Sequence, residues 1–117
     1  MNLQISGKNI ELTPALKSHV DEKIGGLTRF NEQITEARVT LEMIRENHTE
    51  SFKAAAQFHV GREVLFTEEA ASTMYAAIDI VKDEMERQLR DLKAKNETKH
   101  RKANIIQRGL KSIFGKN

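Results

Sequence analysis

The chain has no cysteine and no tryptophan, and only one proline and one tyrosine. Without cysteine, disulfides, thiolate ligands and thiol nucleophiles are excluded, as suits a reducing compartment. The opening "MNLQISGKN" has no apolar core of the kind a secretory signal needs. No apolar run approaches the roughly 20 residues of a membrane-spanning helix. A cytoplasmic protein with no membrane partner is the expectation.

Enzymatic signatures are equally scarce. Gly25-Gly26 sits inside a helical pattern and lacks the spacing of a phosphate-binding loop. His19, His48, His59 and His100 fall on a predicted helix, loop, strand and tail, with no HxH or HxxxH spacing that would aim two rings at one metal. The carboxylates are numerous, but no spacing pairs them as an acid/base couple. The sequence supports neither a catalytic residue nor a metal site nor a cofactor, and the expectation is a non-enzymatic protein.

What is present is charge, and it is unevenly placed. Residues 1–98 carry 13 Lys+Arg against 17 Asp+Glu, whereas residues 99–117 carry 6 Lys+Arg and no acid. The run "DEMERQLRDLKAKNETKHRK", starting at Asp83, shows the change within one predicted helix: Asp83, Glu84 and Glu86 come first, then Arg87, Arg90, Lys93 and Lys95. A helix that turns basic along its length suits either its own dipole or a polyanionic partner.

Hydrophobic periodicity supplies the architecture. "LQISG" alternates as a short strand. Thr13 is placed to cap a helix with Pro14 in its first turn, and Leu16, Val20, Ile24, Leu27 and Phe30 follow as its apolar stripe. The Gly25-Gly26 pair weakens that helix by about 1 kcal/mol per glycine and predicts a bend or a frayed turn. Three strands follow. Val39, Leu41 and Met43 face inward on the first, Phe52, Ala54, Ala56, Phe58 and Val60 share a face on the second, and "EVLFTEE" is the third. Polar residues 46–50 and the Gly61-Arg62 step are short enough for hairpins. Ser72 or Thr73 then caps a long helix with the stripe Met74, Ile78, Val81, Met85, Leu89 and Leu92.

The predicted fold is α+β in the order β-α-β-β-β-α: a four-stranded sheet, two helices on one face, and a polar open face. Residues 1–96 form the predicted domain. The stripe stops near Asn96, so residues 97–117 are expected to be a linker and a basic, flexible tail. In that tail Ile106, Leu110, Ile113 and Phe114 recur at helical spacing.

Arg87, Arg90 and Lys93 are spaced three apart and form a slanting row on the long helix. Lys17 and Lys23 flank the stripe of the first helix. If the two helices lie side by side, Lys17, Lys23, Arg87 and Arg90 converge on one outer surface able to grip phosphates. The competing reading has Arg87 and Lys93 simply join Asp83, Asp91 and Glu97 in exposed i,i+4 pairs and dipole contacts.

"MYAAID" (74–79) followed by "RQL" (87–89), together with the opening "LQISGKNIELTPAL", resembles the ribosome hibernation-promoting factors, the family that includes the ribosome-associated translation inhibitors. The resemblance covers about residues 1–95. It implies a fold akin to double-stranded-RNA-binding domains and occupation of the small ribosomal subunit near its decoding channel. Translation would halt there, and idle ribosomes, whole or dimerised with an accessory hibernation factor, would be preserved under stress or in stationary phase. By the same resemblance, Lys23, Arg87, Lys93 and Lys95 would contact ribosomal RNA, with Arg90 and Lys17 added from the row above. At 117 residues the chain reads as a short member of the family. It departs from the pattern at Glu84, where relatives often carry lysine.

Two other readings fit the residues alone. One is a general structured-RNA-binding module; the other is a membrane- or protein-docking factor using the basic amphipathic segment 105–116.

Overall fold

A computed structural model of the protein describes residues 2–29 and 31–114, and the side chains of residues 2–29 and 31–98. The elements are β1 (Asn2–Lys8), α1 (Pro14–Val20), a π-helical turn (Asp21–Gly25), α2 (Gly26–Arg29), β2 (Ile34–Glu46), β3 (Thr49–Val60), β4 (Glu63–Ala71) and α3 (Met74–Phe114). The predicted order therefore holds. The chain divides into two compact units, Met1–Arg87 and Gln88–Asn117, and α3 runs from the first into the second.

Local chemistry starts each helix. The Thr13 hydroxyl accepts from the Leu16 backbone N–H at 3.2 Å, satisfying one of the orphan donors of the first turn. Of the two candidate caps for α3, Thr73 takes the role: its hydroxyl accepts from the Ala76 N–H at 3.1 Å. The glycine pair does not break the first helix but widens it into the π turn. A β-carbon at Gly25 would lie 3.0 Å from Asp21 Oδ1, so a larger residue would need the Asp21 side chain of the same turn to shift, while Leu3 Cδ2 on β1, at 3.6 Å, would be an ordinary contact. The Thr28 hydroxyl donates to the Gly25 carbonyl at 2.6 Å, satisfying a group that the altered ladder would strand.

The sheet order is β1-β2-β3-β4, with β1 parallel to β2 and the remaining pairs antiparallel. A parallel neighbour needs a crossover, and α1, the π turn and α2 supply it. Asn47 and His48 both adopt left-handed backbone (φ 50° and 62°) in a two-residue hairpin between β2 and β3. Their sign matches the natural twist of the flanking strands, and asparagine tolerates it well. At the second hairpin Gly61 has φ 59° and its N–H donates to the Gln33 carbonyl at 2.9 Å.

Alternation assigns the faces. Val39 and Leu41 on β2, and Ala54, Ala56, Phe58 and Val60 on β3, are buried. So are Leu16, Val20 and Ile24 on the first helical segment, and Met74, Ile78, Val81 and Met85 on α3. The completely buried alanines Ala37, Ala54, Ala56 and Ala77 keep the core thin and let close packing be reached with few large side chains, Phe58 being the largest. Leu27, Met43 and Phe52, expected in the core, are half-buried; Phe30 lies outside the described residues.

Two expectations need correction. The open face of the sheet is not uniformly polar: Val64 and Phe66 are 53% and 54% exposed there, opposite His59 and Gln57 across the β3–β4 ladder. The backbone also does not leave the helix at Asn96 but continues to Phe114. "AKNETKHRKANIIQR" contains neither proline nor glycine and is rich in helix formers, so its backbone propensity favours continuing the helix. The side chains of Ile106, Leu110, Ile113 and Phe114 lie outside the description.

Candidate nucleic-acid interface

The six cations named from sequence fall in both units. In the first, Lys17 stands exposed on α1, Lys23 is half-buried in the π turn, and Arg87 is exposed at the unit's end. Arg90, Lys93 and Lys95 belong to the second unit, and all three are exposed.

Within the first unit α1 and α3 do adjoin. His19 Nε2 lies 2.8 Å from Asp79 Oδ1, and the His19 and Tyr75 rings meet edge-on with centroids 5.0 Å apart. A histidine without metal-ligand spacing in the sequence thus clamps the two helices.

The cations differ in whether an acid already holds them. Arg87 Nη2 donates to Glu84 Oε2 at 2.7 Å, and Lys82 Nζ lies 2.6 Å from Glu86 and 3.7 Å from Asp83. Arg29, Arg38, Arg45 and Lys53 are likewise engaged, with Asp21, Glu36, Glu50, and Glu42 plus Glu68. Among the described residues, Lys17, Lys23, Arg90, Lys93 and Lys95 form no ion pair. The i,i+4 pairs read from sequence, Arg87 with Asp83 or Asp91 and Lys93 with Glu97, are not formed, and Asp83 lies beside Lys82. Arg87 takes the acid one turn earlier instead, in the acid-before-base order that helices favour.

Bare, solvent-facing ammonium and guanidinium groups are the chemistry of phosphate recognition: they bind by charge, displace condensed counterions, and need no cavity. The site is a surface. A hollow of roughly 440 Å³ on the open sheet face has Ser6, Arg38, Thr40, Ala55, Gln57 and Phe66 in its lining, none of them a predicted contact. Among the described residues no group of three or more His, Cys, Asp or Glu side chains is placed to hold a metal ion, and no helix is long and apolar enough to cross a membrane.

These features define an α+β protein with unpaired cations on the helical segments of its first unit and, separately, on the part of α3 that belongs to the second. The profile of the Sigma 54 modulation protein / S30EA ribosomal protein family matches residues 3–97, and the chain belongs to that family. It is 40% identical over 94 residues to the ribosome hibernation promotion factor of Deinococcus radiodurans, covering 79% of this chain and 49% of that protein. It is also 40% identical over 101 residues to the factor of the same name from Bacillus subtilis, covering 86% and 53%. The chain thus spans about half the length of these curated relatives. Its fold is similar to that of the N-terminal domain of Protein Y from Thermus thermophilus, with a TM-score of 0.67, 28% identity, and coverage of 79% of this chain and 99% of that one.

Proposed function

We propose that this protein is a non-catalytic cytoplasmic factor that binds the small ribosomal subunit through its ribosomal RNA, occupies the decoding region, and holds ribosomes in an untranslating, hibernating state under stress or in stationary phase. The observation that carries the proposal is the set of exposed or half-exposed cations without acidic partners, Lys17, Lys23, Arg90, Lys93 and Lys95, in a chain of this family. Arg87 belongs to the same row but reaches a phosphate only by leaving Glu84. Residues 1–96 form the binding domain in this reading, and residues 97–117 extend it with a basic tail.

Sedimentation tests it. Purified full-length protein is mixed with ribosomes at low salt and followed across a sucrose gradient. Comigration with small subunits and with whole ribosomes is the expected result, and a shift of ribosomes to a heavier peak would add dimer promotion with an accessory factor. Protein remaining at the top of the gradient would sink the proposal. Equal affinity for a plain RNA duplex would replace it with general RNA binding.

A further inference from the structure

The acids beside the basic row lead further than the row itself. Between Lys82 and Arg87 there are two cations and three acids, and both cations are taken: Lys82 by Glu86 and Asp83, Arg87 by Glu84. From Gln88 to Thr98 there are three cations and two acids, yet Arg90, Lys93 and Lys95 are paired with neither Asp91 nor Glu97. The change along α3 is therefore one of availability more than of net charge.

We propose that Glu84 is a positioning residue that withholds Arg87 from RNA, so that the phosphate-gripping part of α3 begins at Arg90. This rests on the RNA-binding reading above and concerns how that surface is bounded. A guanidinium hydrogen-bonded to a carboxylate already has a charge-assisted partner. To bind a phosphate it must either break that bond or bring the carboxylate's charge to the phosphate. Both costs fall on Arg87 and neither falls on Arg90, Lys93 or Lys95. The pair is local and correctly ordered for a helix, and Glu84 is the less exposed partner at 35% against 61% for Arg87. The carboxylate is thus the better-held end, and the guanidinium turns back to it. Glu86 does the same for Lys82 one step earlier, at 2.6 Å.

The number of phosphate contacts can be read directly, because each one steepens the fall of affinity with salt by about 0.7–0.9 in a log–log plot. The experiment measures binding of the full-length protein to purified small ribosomal subunits across a salt series, for wild type, E84Q, R87Q and the double variant, with E97Q as a control for charge alone. E84Q is expected to tighten binding severalfold and to steepen the slope by about one contact. R87Q alone should leave the slope unchanged, yet in the E84Q background it should remove the added steepness. E97Q should tighten binding modestly with no dependence on Arg87. Circular dichroism on each variant verifies that α3 keeps its helicity.

A wild-type slope that flattens by a full contact in R87Q would overturn the inference, since Arg87 would then already be on a phosphate. An E84Q slope equal to wild type would overturn it as well. If wild type does not bind subunits at low salt, the ribosome reading fails and this inference falls with it. Binding that persists without coupling between positions 84 and 87 sinks the inference alone.

Discussion

The unit Met1–Arg87 and the stretch 88–98 of α3 are built on opposite uses of side chains. In the first, what matters is hidden: Val20, Ile24, Leu41, Phe58 and Met85 are at most 1% exposed, and nearly every arginine carries a carboxylate. In the second, Arg90, Lys93 and Lys95 are exposed and hold no acid. Buried contacts set stability, and exposed unpaired charge sets affinity for a polyanion. The comparison teaches that the two properties should be separable by mutation: buried side chains govern stability, and unpaired cations, Lys17 and Lys23 of the first unit included, govern affinity.

The largest expected effect is on stability. Phe58→Ala removes the biggest fully buried side chain and should cost about 3–5 kcal/mol in denaturant unfolding. A loss under 1 kcal/mol would show that the alanine-rich core closes around the gap. The mirror experiment replaces Arg90, Lys93 and Lys95 together by glutamine. Stability should change by less than about 0.5 kcal/mol, while the salt dependence of subunit binding should flatten by about two to three. An unchanged slope would break the comparison outright.

Smaller effects sharpen it. Thr13→Ala and Thr73→Ala each remove an observed cap and should each destabilise by about 1 kcal/mol, readable as a shift in denaturation midpoint. Neither should alter the salt slope. The smallest effect concerns Lys53 on the open sheet face. Hydrogen bonding to Glu42, more than the opposing effect of burial, and then to Glu68, holds its ammonium above the ordinary value of 10.5. A group whose pKa is raised on folding adds stability that is complete below its unfolded pKa and lost as pH rises through its folded one. The melting-temperature difference between wild type and Lys53→Met should therefore be constant near neutrality and shrink only in strongly alkaline buffer, above 10.5. A difference that instead vanished near pH 8 would assign the effect to another group.

How much was legible beforehand depended on how local the cause was. Alternation marked the inward faces of β2 and β3, and Thr13 announced a helix start, because each follows from a period or a cap a few residues long. Ser72 and Thr73 were indistinguishable as caps until the backbone showed which hydroxyl reaches the third N–H. The exposed Phe66 escaped notice because its strand alternates apolar residues on both faces: Val64 and Phe66 on one, Leu65 on the other, beside the buried Thr67. At the candidate interface the residue types were readable, but their availability was not. Arg87 had acids at several helical spacings, and only side-chain geometry showed that Glu84 takes it.

By itself, then, the sequence determined the order of elements, the faces of the middle strands, the caps available and the drift from acidic to basic along α3. These are short-range properties, written in neighbours a few residues apart. Tertiary structure alone decided the parallel pairing of β1 with β2, the approach of Gly25 in the π turn to Leu3, and the His19–Asp79 clamp between helices sixty positions apart. Each of those joins residues whose proximity no local period encodes, and each arises only when burial of the shared core brings them together.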